Sequence, residues 1–347
     1  MIGSEISIFF HRMEKKINFL RRRLSSKTIL YISIIFLSVS AMAVLLLNRN
    51  NTAEIISPST LTTIPTPHPL PIQVYDKQPY FITIIGQVFR DKESLHLSSL
   101  SQIANDGQQQ AENEYLYLYS ENGYLPVDVQ WWQKESEQVY VYVGKRLNAT
   151  GNEKVIVAFA PPNSGNCAPR GITFHEQRPT IVVFADQNTS KEQILSVLAH
   201  ELGHVFIHQK YKNLSDVALN EGMATWAAGN YWKDWKGFDF NSGVTAFVKD
   251  KTYLPLSQNF NMGKAYNDNS PDCIINRDLL LTELASFLDY LIQNYGSEKL
   301  SALFDIPQSE LMNNQRIVYP PNFKDVYGLE FNQLEYEWLK TLFQPSQ

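Results

Sequence analysis

One segment limits the possible organisation of this chain more than any other. Residues 28–47, TILYISIIFLSVSAMAVLLL, are twenty consecutive residues without a charged side chain. Twenty residues of α-helix rise about 30 Å, which matches the thickness of the hydrocarbon core of a bilayer. A buried helix of a large protein is the alternative, but such helices rarely lack charge over this length. We therefore expect residues 28–47 to form a single transmembrane helix.

The charges that flank this segment predict its orientation. Seven Lys and Arg side chains lie between Arg12 and Lys27, whereas only Arg49 follows closely on the other side. Cytoplasmic flanks are enriched in Lys and Arg, so the tail at residues 1–27 is expected in the cytoplasm and the rest outside it. A cleaved signal peptide is the competing interpretation, but the apolar stretch is long for one, and LLLNRNNT is a poor cleavage site. We expect an uncleaved, single-pass anchor in the cell membrane.

The segment after the predicted span differs from a folded domain. Residues 48–74 include SPSTLTTIPTPHPLP, which is rich in Pro, Thr and Ser and has no apolar periodicity. Such a composition is typical of an extended linker. The folded extracytoplasmic domain is therefore predicted over residues 75–347. The chain has a formal net charge of −5 and shows no basic face, so nucleic acid is not an expected partner.

Hydrophobic periodicity over residues 75–347 predicts a domain of the α+β class. Short β-branched runs predict strands, and amphipathic runs predict helices. The strands are predicted at residues 154–161 and 180–186. The helices are predicted near Ser215 onward and at residues 280–304 and 331–343. Residues 131–148 fit either a strand or a helix, with helix favoured, and residues 93–122 are predicted to be mainly helical.

A further helix is predicted to carry the segment VLAHELGHVFIH, residues 197–208. Thr189, followed three residues later by Glu192, is a capping-box signature for its start. Apolar residues then recur at helical spacing as far as Phe206. The polar residues of this segment therefore have defined positions on a helix surface.

His200 and His204 lie four residues apart and so share one face of this helix, where two imidazoles can converge on one ion. A catalytic zinc ion takes three protein ligands and leaves the fourth position open. Glu201 is offset around the helix, which places its carboxylate beside that open position as a general base. At this chain's frequencies of His and Glu, the pattern arises by chance in about one chain in a hundred of this length.

A third ligand is needed, and Glu221 in LNEGMATW is the strongest candidate. It lies 17 positions after His204, on a predicted helix that can fold back antiparallel to the first. Its largely apolar neighbours favour a packed environment over an exposed carboxylate. His208 is nearly collinear with the first pair of histidines, and Asp216 is better explained by a helix N-terminus. The predicted ligands of one Zn²⁺ ion are His200, His204 and Glu221.

VLAHELGHVF followed by LNEGMATW resembles the gluzincin metallopeptidases of the MA clan, particularly the bacterial peptidase-MA-like domains. The resemblance covers roughly residues 154–343 and includes SFLDYLIQNYGSEKLSALF and LEYEWLKTLF. It implies a zincin-like domain with a small mixed sheet, an active-site helix and a helical C-terminal part. It also implies that the strand at residues 180–186 forms the edge that runs along the substrate cleft. The implied roles are zinc ligands for His200, His204 and Glu221 and general base for Glu201.

The chain departs from this family at one position. Related enzymes often have a Tyr or His that stabilises the tetrahedral oxyanion, and a Tyr is expected shortly before SFLDYL, where this chain has LLLTELASF. Loss of one oxyanion donor lowers turnover by about 10²–10³. Alternative candidates are Tyr266, Tyr290 and His175.

Two functions of different classes are compatible with these features. The first is a membrane-anchored zinc metallopeptidase that hydrolyses peptide or protein substrates outside the cytoplasm, as an endopeptidase or an aminopeptidase-like hydrolase. The second is a membrane-tethered binding or scaffold protein with a structural or vestigial zinc site, which the absent Tyr favours. Zinc-dependent hydrolysis of a non-peptide bond is a third possibility.

Two cysteines, Cys167 and Cys273, lie in the predicted extracytoplasmic portion. An oxidising compartment favours a disulfide between them. Two free buried thiols are the alternative, because the sequence does not show whether the two sulfur atoms meet.

Overall fold

The computed structural model describes much of the predicted extracytoplasmic portion. The described residues are 80–82, 108–120, 123–162, 165–175, 178–211, 216–262, 265, 270–304, 310–312, 315–318 and 321–343. The predicted tail, membrane span and linker lie outside this set. Among the described helices, none has the length and apolar character needed to cross a bilayer.

The described residues form an α+β fold, as predicted. The strands are β1 (Tyr80–Ile82), β2 (Gln108–Glu112), β3 (Leu116–Ser120), β4 (Val155–Ala160), β5 (Gly171–His175), β6 (Pro179–Phe184), β7 (Glu310–Met312) and β8 (Gln315–Val318). The helices are α1 (Val129–Leu147), α2 (Lys191–Tyr211), α3 (Val217–Lys236), α4 (Phe240–Lys249), α5 (Leu256–Asn259), α6 (Cys273–Tyr295), α7 (Ser297–Ala302), α8 (Phe323–Tyr327) and α9 (Phe331–Phe343).

The larger sheet is small and mixed, with the strand order β2-β3-β4-β6-β5. β3, β4 and β6 are parallel, whereas β2 and β5 pair antiparallel with their neighbours. β4 and β6 are buried along their whole lengths, as expected for continuous apolar runs in the middle of a sheet. The strands predicted at residues 154–161 and 180–186 are therefore confirmed. β1, β7 and β8 form a separate antiparallel sheet.

The prediction that residues 180–186 form the sheet edge is wrong. β5 pairs antiparallel with β6, with Phe174 opposite Thr180, and takes the outermost position among the described strands. The sequence GITFH alternates small or polar residues with apolar ones, and Ile172 and Phe174 pack against the apolar face of β6. A strand of this kind covers the edge of the buried β6 and leaves its own outer edge for other contacts.

Two other segments of the sheet layer were predicted ambiguously or wrongly. Residues 93–122 were expected to be mainly helical, but 108–112 and 116–120 are strands, and 93–107 lie outside the described set. In the second strand buried and half-buried residues alternate, which is the pattern of a sheet and not of a helix. The favoured helix at residues 131–148 is confirmed as α1.

Helix α2 begins one residue later than the capping-box signature predicts. Ser190 Oγ accepts a hydrogen bond from Gln193 N at 3.1 Å and so caps the helix. Thr189 belongs instead to a turn, in which its N–H donates to Asp186 Oδ1 at 3.0 Å. Glu192 lies in the first helical turn, where its charge interacts favourably with the helix dipole.

Helix α2 packs between the sheet and α3. It contacts β5 and β6 on one side and α3 on another. The two helices approach closely where Gly203 faces Ala224, since a Cβ atom at position 203 would lie 2.8 Å from the Cα of Ala224. This close approach brings the polar residues of α2 next to the beginning of α3.

The C-terminal helices α6 and α9 complete the core, as the sequence predicts. Phe287 of α6 packs edge-on against Trp338 of α9 with ring centroids 5.5 Å apart. The Trp338 indole also donates to Ser286 Oγ at 3.1 Å. The predicted helix at residues 280–304 is interrupted at Gly296, whose φ of 87° lies in the region that favours glycine.

Cys167 and Cys273 form the predicted disulfide, with their Cα atoms 5.3 Å apart. The bond joins the segment before β5 to the first residue of α6. Both residues are buried. The disulfide therefore fixes the entry to the edge strand against the C-terminal helical part.

Candidate metal centre

Three side chains from α2 and α3 converge on one point. His200 Nε2 lies 3.2 Å from one Glu221 carboxylate oxygen, and His204 Nε2 lies 3.8 Å from the other. The two Nε2 atoms are 3.1 Å apart. All three ligand atoms lie within 4.8 Å of one another. The residues predicted as metal ligands are thus brought together.

Hydrogen bonds behind the two imidazoles determine which ring nitrogen carries the proton. Thr225 Oγ1 donates its only proton to the Glu221 carbonyl at 2.8 Å, so it accepts from His200 Nδ1 at 3.1 Å. Asn220 Oδ1, which is an acceptor, lies 3.0 Å from His204 Nδ1. Both rings therefore carry a proton on Nδ1 and direct the Nε2 lone pair toward Glu221.

This arrangement fits a divalent metal ion. Two Nε2 lone pairs and a carboxylate are all acceptors, and acceptors at these separations need positive charge between them. Nitrogen and oxygen ligands from two His and one Glu match a known catalytic zinc set. The acceptors on Asn220 and Thr225 supply the outer hydrogen bonds that metal-binding histidines require.

Glu201 lies on the same helix, directly after His200, and its carboxylate contacts β5. Its side chain is buried, and Thr173 Oγ1 donates to its Oε2 at 2.7 Å. Burial raises the pKa of Glu201 to about 7, against the smaller lowering effects of His204 and of the Thr173 hydrogen bond. A carboxyl group of this kind suits the uptake and release of a proton near neutral pH.

The edge strand β5 also lies close to Glu201 at Gly171. A Cβ atom there would lie 2.6 Å from Glu201 Oε1 and 2.8 Å from Val197 Cγ1. Any larger residue at this position would therefore push β5 away from the helix. Thr173, two residues along the strand, faces the same side. Gly171 and Thr173 were not predicted as site residues, although the alternation in GITFH places both on one face.

The two alternative ligands have other roles. The ring of His208 stacks on His175, with centroids 3.9 Å apart and planes inclined by 19°. Asp216 caps α3, where its side chain accepts from Leu219 N at 2.8 Å. Neither residue belongs to the converging set of ligand atoms.

The three oxyanion candidates have different positions. His175 ends β5, and burial followed by the charges of His208 and His204 lowers its pKa to about 4, so its imidazole is neutral at pH 7. Burial and a hydrogen bond with Tyr295 raise the pKa of Tyr290, which lies near the C-terminal end of α6. Tyr266 lies outside the described residues. Of the two that can be placed, His175 is the one linked electrostatically to a ligand.

The centre thus combines three converging ligands, two supporting acceptors and one buried carboxylate. No known family model matches the chain. No curated protein matches it either.

Proposed function

We propose that this protein is a membrane-anchored zinc metallopeptidase that hydrolyses peptide bonds outside the cytoplasm. The convergence of His200, His204 and Glu221, with the buried Glu201 beside them, supports this proposal most directly. The resemblance to gluzincin metallopeptidases, and with it a zincin-like domain, is part of the same proposal. The anchor is residues 28–47, which orient the folded domain outward.

The proposed resident ion is one Zn²⁺. When bound, it supplies a Lewis acid that polarises a carbonyl group and lowers the pKa of a water molecule. His200, His204 and Glu221 would hold it. Thr225 and Asn220 would keep the two imidazoles in the orientation that directs Nε2 inward.

Glu201 is the proposed general base and acid. Its carboxylate takes a proton from the attacking water and returns it to the nitrogen of the leaving amine. The hydrogen bond from Thr173 fixes one carboxylate oxygen, while Gly171 allows the edge strand to lie against the other. Both contacts hold the carboxylate in place and exclude water from the side of the carboxylate that faces β5.

The outer edge of β5 is the proposed binding surface for an extended peptide. An edge strand binds such a peptide through main-chain hydrogen bonds. β5 is outermost among the described strands and contacts Glu201 at Gly171 and Thr173, so a peptide on this edge passes beside the base. His175 at the end of β5 is the proposed donor to the oxyanion.

The test is Glu201→Gln in the full-length protein, purified in detergent and loaded with zinc. We expect an unchanged zinc content and a fall of about 10²–10⁴ in the rate of hydrolysis of a broad peptide library. Glu192→Gln is the matched control, because Glu192 is an exposed glutamate in the first turn of the same helix. Undiminished hydrolysis by Glu201→Gln would contradict the proposed role of Glu201.

A membrane-tethered binding or scaffold protein is the second candidate function. The observation in its favour is that LLLTELASF in α6 has no Tyr at the position where related enzymes often have one. The two functions differ in one measurement. Cleavage of any library peptide by the zinc-loaded protein, suppressed by a chelator, rejects the scaffold function. Cleavage restricted to ester or other non-peptide substrates would instead point to a different hydrolase.

A further inference from the structure

A cluster of charged side chains lies at the N-terminal end of the edge strand. Arg170 makes a bidentate pair with Asp278, with N–O distances of 2.6 and 3.0 Å. Lys236 Nζ lies 2.7 Å from the same carboxylate. Trp235 lies under both cations, 3.5 Å from Lys236 Nζ and 4.9 Å from Arg170 Cζ, measured to the ring centroid. Two cations thus share one carboxylate on an aromatic platform.

Asp278 does not balance the positive charge of this cluster. A lysine 2.7 Å from a carboxylate ordinarily has a raised pKa, because the ion pair favours its charged form. The pKa of Lys236 is instead lowered, chiefly by burial, and the charges of Arg170 and Arg277 contribute to this lowering against Asp278. Within the three side chains of Arg170, Lys236 and Asp278, two positive charges share one negative charge, so a further carboxylate would interact favourably with Arg170 and Lys236.

The cluster is close to the proposed base. Arg170 directly precedes Gly171, where an added Cβ atom would lie 2.6 Å from Glu201 Oε1. Its carbonyl accepts from Phe184 N at 2.9 Å, so Arg170 continues the hydrogen-bond ladder of β5. The positive charge of Arg277 contributes to lowering the pKa of both Glu201 and Lys236. A peptide that pairs along β5 as far as Gly171 is one residue, about 3.3 Å along the chain, from Arg170.

The cations are held firmly and remain accessible. The side chains of Arg170 and Lys236 retain 22% and 16% exposure. Arg277 donates to the carbonyls of Cys167 and Ala168 at 3.2 and 2.8 Å, and the disulfide fixes the same segment. A rigid, partly exposed pair of cations binds a carboxylate with little loss of side-chain entropy.

We propose that Arg170 and Lys236 form a subsite for a carboxylate of the substrate, so that the enzyme selects acidic peptides. The proposal rests on the proposed peptidase function, since it concerns the substrate of that site. The carboxylate comes either from an Asp or Glu side chain or from the C-terminus of the peptide. An ion-pair cluster with only a structural role would lower activity toward all peptides equally when disrupted.

The experiment compares matched peptides that differ in one carboxylate. One arm exchanges Glu for Gln at successive positions in a C-terminally amidated peptide, and the other exchanges the amide for a free C-terminus. Binding is measured by calorimetry on the full-length, zinc-loaded Glu201→Gln protein, and kcat/KM on the wild type. We expect a preference of about 10- to 100-fold for the carboxylate in one arm, the range for a hydrogen bond to a charged group.

Two variants test whether the cluster causes this preference. In Lys236→Met and in Arg170→Gln, the ratio between acidic and neutral peptides should fall toward one while neutral peptides keep their affinity. Lys191→Met is the matched control, because Lys191 also lies over a tryptophan ring, 4.7 Å from the centroid of Trp131. Thermal unfolding identifies any variant that fails to fold. The ratio between acidic and neutral peptides is then judged from the variant that folds.

The outcomes separate this proposal from the proposed function. Peptides that bind or are cleaved without a carboxylate preference, or with one that both folded variants retain, overturn the subsite alone. A zinc-loaded protein that neither binds nor cleaves any peptide overturns the peptidase function, and the subsite with it. A ratio that falls in both variants and not in Lys191→Met supports the subsite.

Discussion

Two clusters of buried or partly buried polar side chains use their lone pairs in opposite ways. In the metal centre, His200, His204 and Glu221 direct acceptors at one another, and their outer hydrogen bonds hold the protons on the far side. In the C-terminal part, Glu335 accepts hydrogen bonds from the Tyr253 hydroxyl and from the backbone N–H of Leu256. The first cluster offers three acceptor atoms to a bound cation, whereas the Glu335 carboxylate accepts its hydrogen bonds from the chain itself. Burial and polarity alone therefore do not identify a binding site; the pattern of donors does.

Glu283 shows a third way to bury a carboxyl group. It is fully buried, and its Oε1 accepts from Leu254 N at 3.0 Å. Its Oε2 has no hydrogen-bond partner among the described residues. Burial, together with the charge of Glu335, raises the pKa of Glu283 well above its ordinary value. Protonation of Glu283 thus removes the cost of burying a negative charge there.

Glu221→Ala should have the largest effect, because it removes a ligand that no other residue of the centre replaces. We expect almost complete loss of bound zinc, a larger effect than the roughly 10- to 100-fold loss of affinity expected for an outer hydrogen bond. The measurement is zinc per protein chain after dialysis, by elemental analysis. Asp216→Asn is the control, since Asp216 caps the same helix outside the ligand set. An equal zinc content in wild type and Glu221→Ala would show that Glu221 is not a zinc ligand. The contrast with the Glu335 cluster would then have no basis.

Glu335→Leu tests the self-satisfied cluster and should affect stability, not zinc content. The variant leaves the Tyr253 hydroxyl and two backbone N–H groups without their acceptor. Each such group costs about 1–3 kcal/mol, so the free energy of unfolding should fall by about 3 kcal/mol or more. Urea unfolding followed by circular dichroism measures it. The control is Glu337→Leu, an exposed position two residues along α9; equal losses in both variants would show that the buried hydrogen bonds contribute little.

The convergence of His200 and His204 was predictable because their spacing acts within a single helix. His200 and His204 need only one helical turn, and α2 supplies it. Asn220 and Thr225 were not predicted, although Thr225 follows Glu221 by four residues and so shares its helix face. Their roles depend on which atoms of α3 meet α2, and the approach at Gly203 determines this. Such a contact between helices has no signature in local periodicity.

The sheet was predicted less well, because the order of strands depends on long-range pairing. Residues 180–186 are strongly β-forming, but this does not indicate whether another strand lies outside them. β5 is short and half-buried, so its sequence gives a weak signal. The same explanation applies to residues 108–120, where pairing in the sheet overrides a composition that also suits a helix.

Thr225→Val sharpens the comparison within the metal centre. Valine has nearly the shape of threonine but cannot accept the proton of His200 Nδ1, so the ring loses its fixed orientation. We expect zinc affinity to fall by about 10- to 100-fold. The free energy of unfolding of the metal-free protein should fall by about 1–3 kcal/mol, because His200 Nδ1–H loses its acceptor. Competition with a chelator of known affinity measures the first quantity. Thr245→Val is the control, because Thr245 also donates to a backbone carbonyl four residues earlier in its helix, but at an exposed position. Unchanged zinc affinity in Thr225→Val would mean that His200 is oriented by packing alone.

Glu283→Gln should have the smallest effect, and only the pH dependence reveals it. Because the folded state holds the proton of Glu283 above the ordinary pKa of 4.5, while the unfolded state releases it, stability falls as the pH rises above that value. Glutamine carries no such proton and keeps an oxygen acceptor for Leu254 N. The Tm of the variant should therefore rise relative to wild type between pH 4.5 and pH 8, by roughly 2–4 °C for each 1 kcal/mol. Glu298→Gln, at an exposed position of α7, is the control and should leave the pH profile of Tm unchanged. Parallel pH profiles of Tm for Glu283→Gln and wild type would show that Glu283 is ionised in the folded protein. A cation near Glu283 would then be needed to balance its charge, and the contrast with the metal centre would be lost.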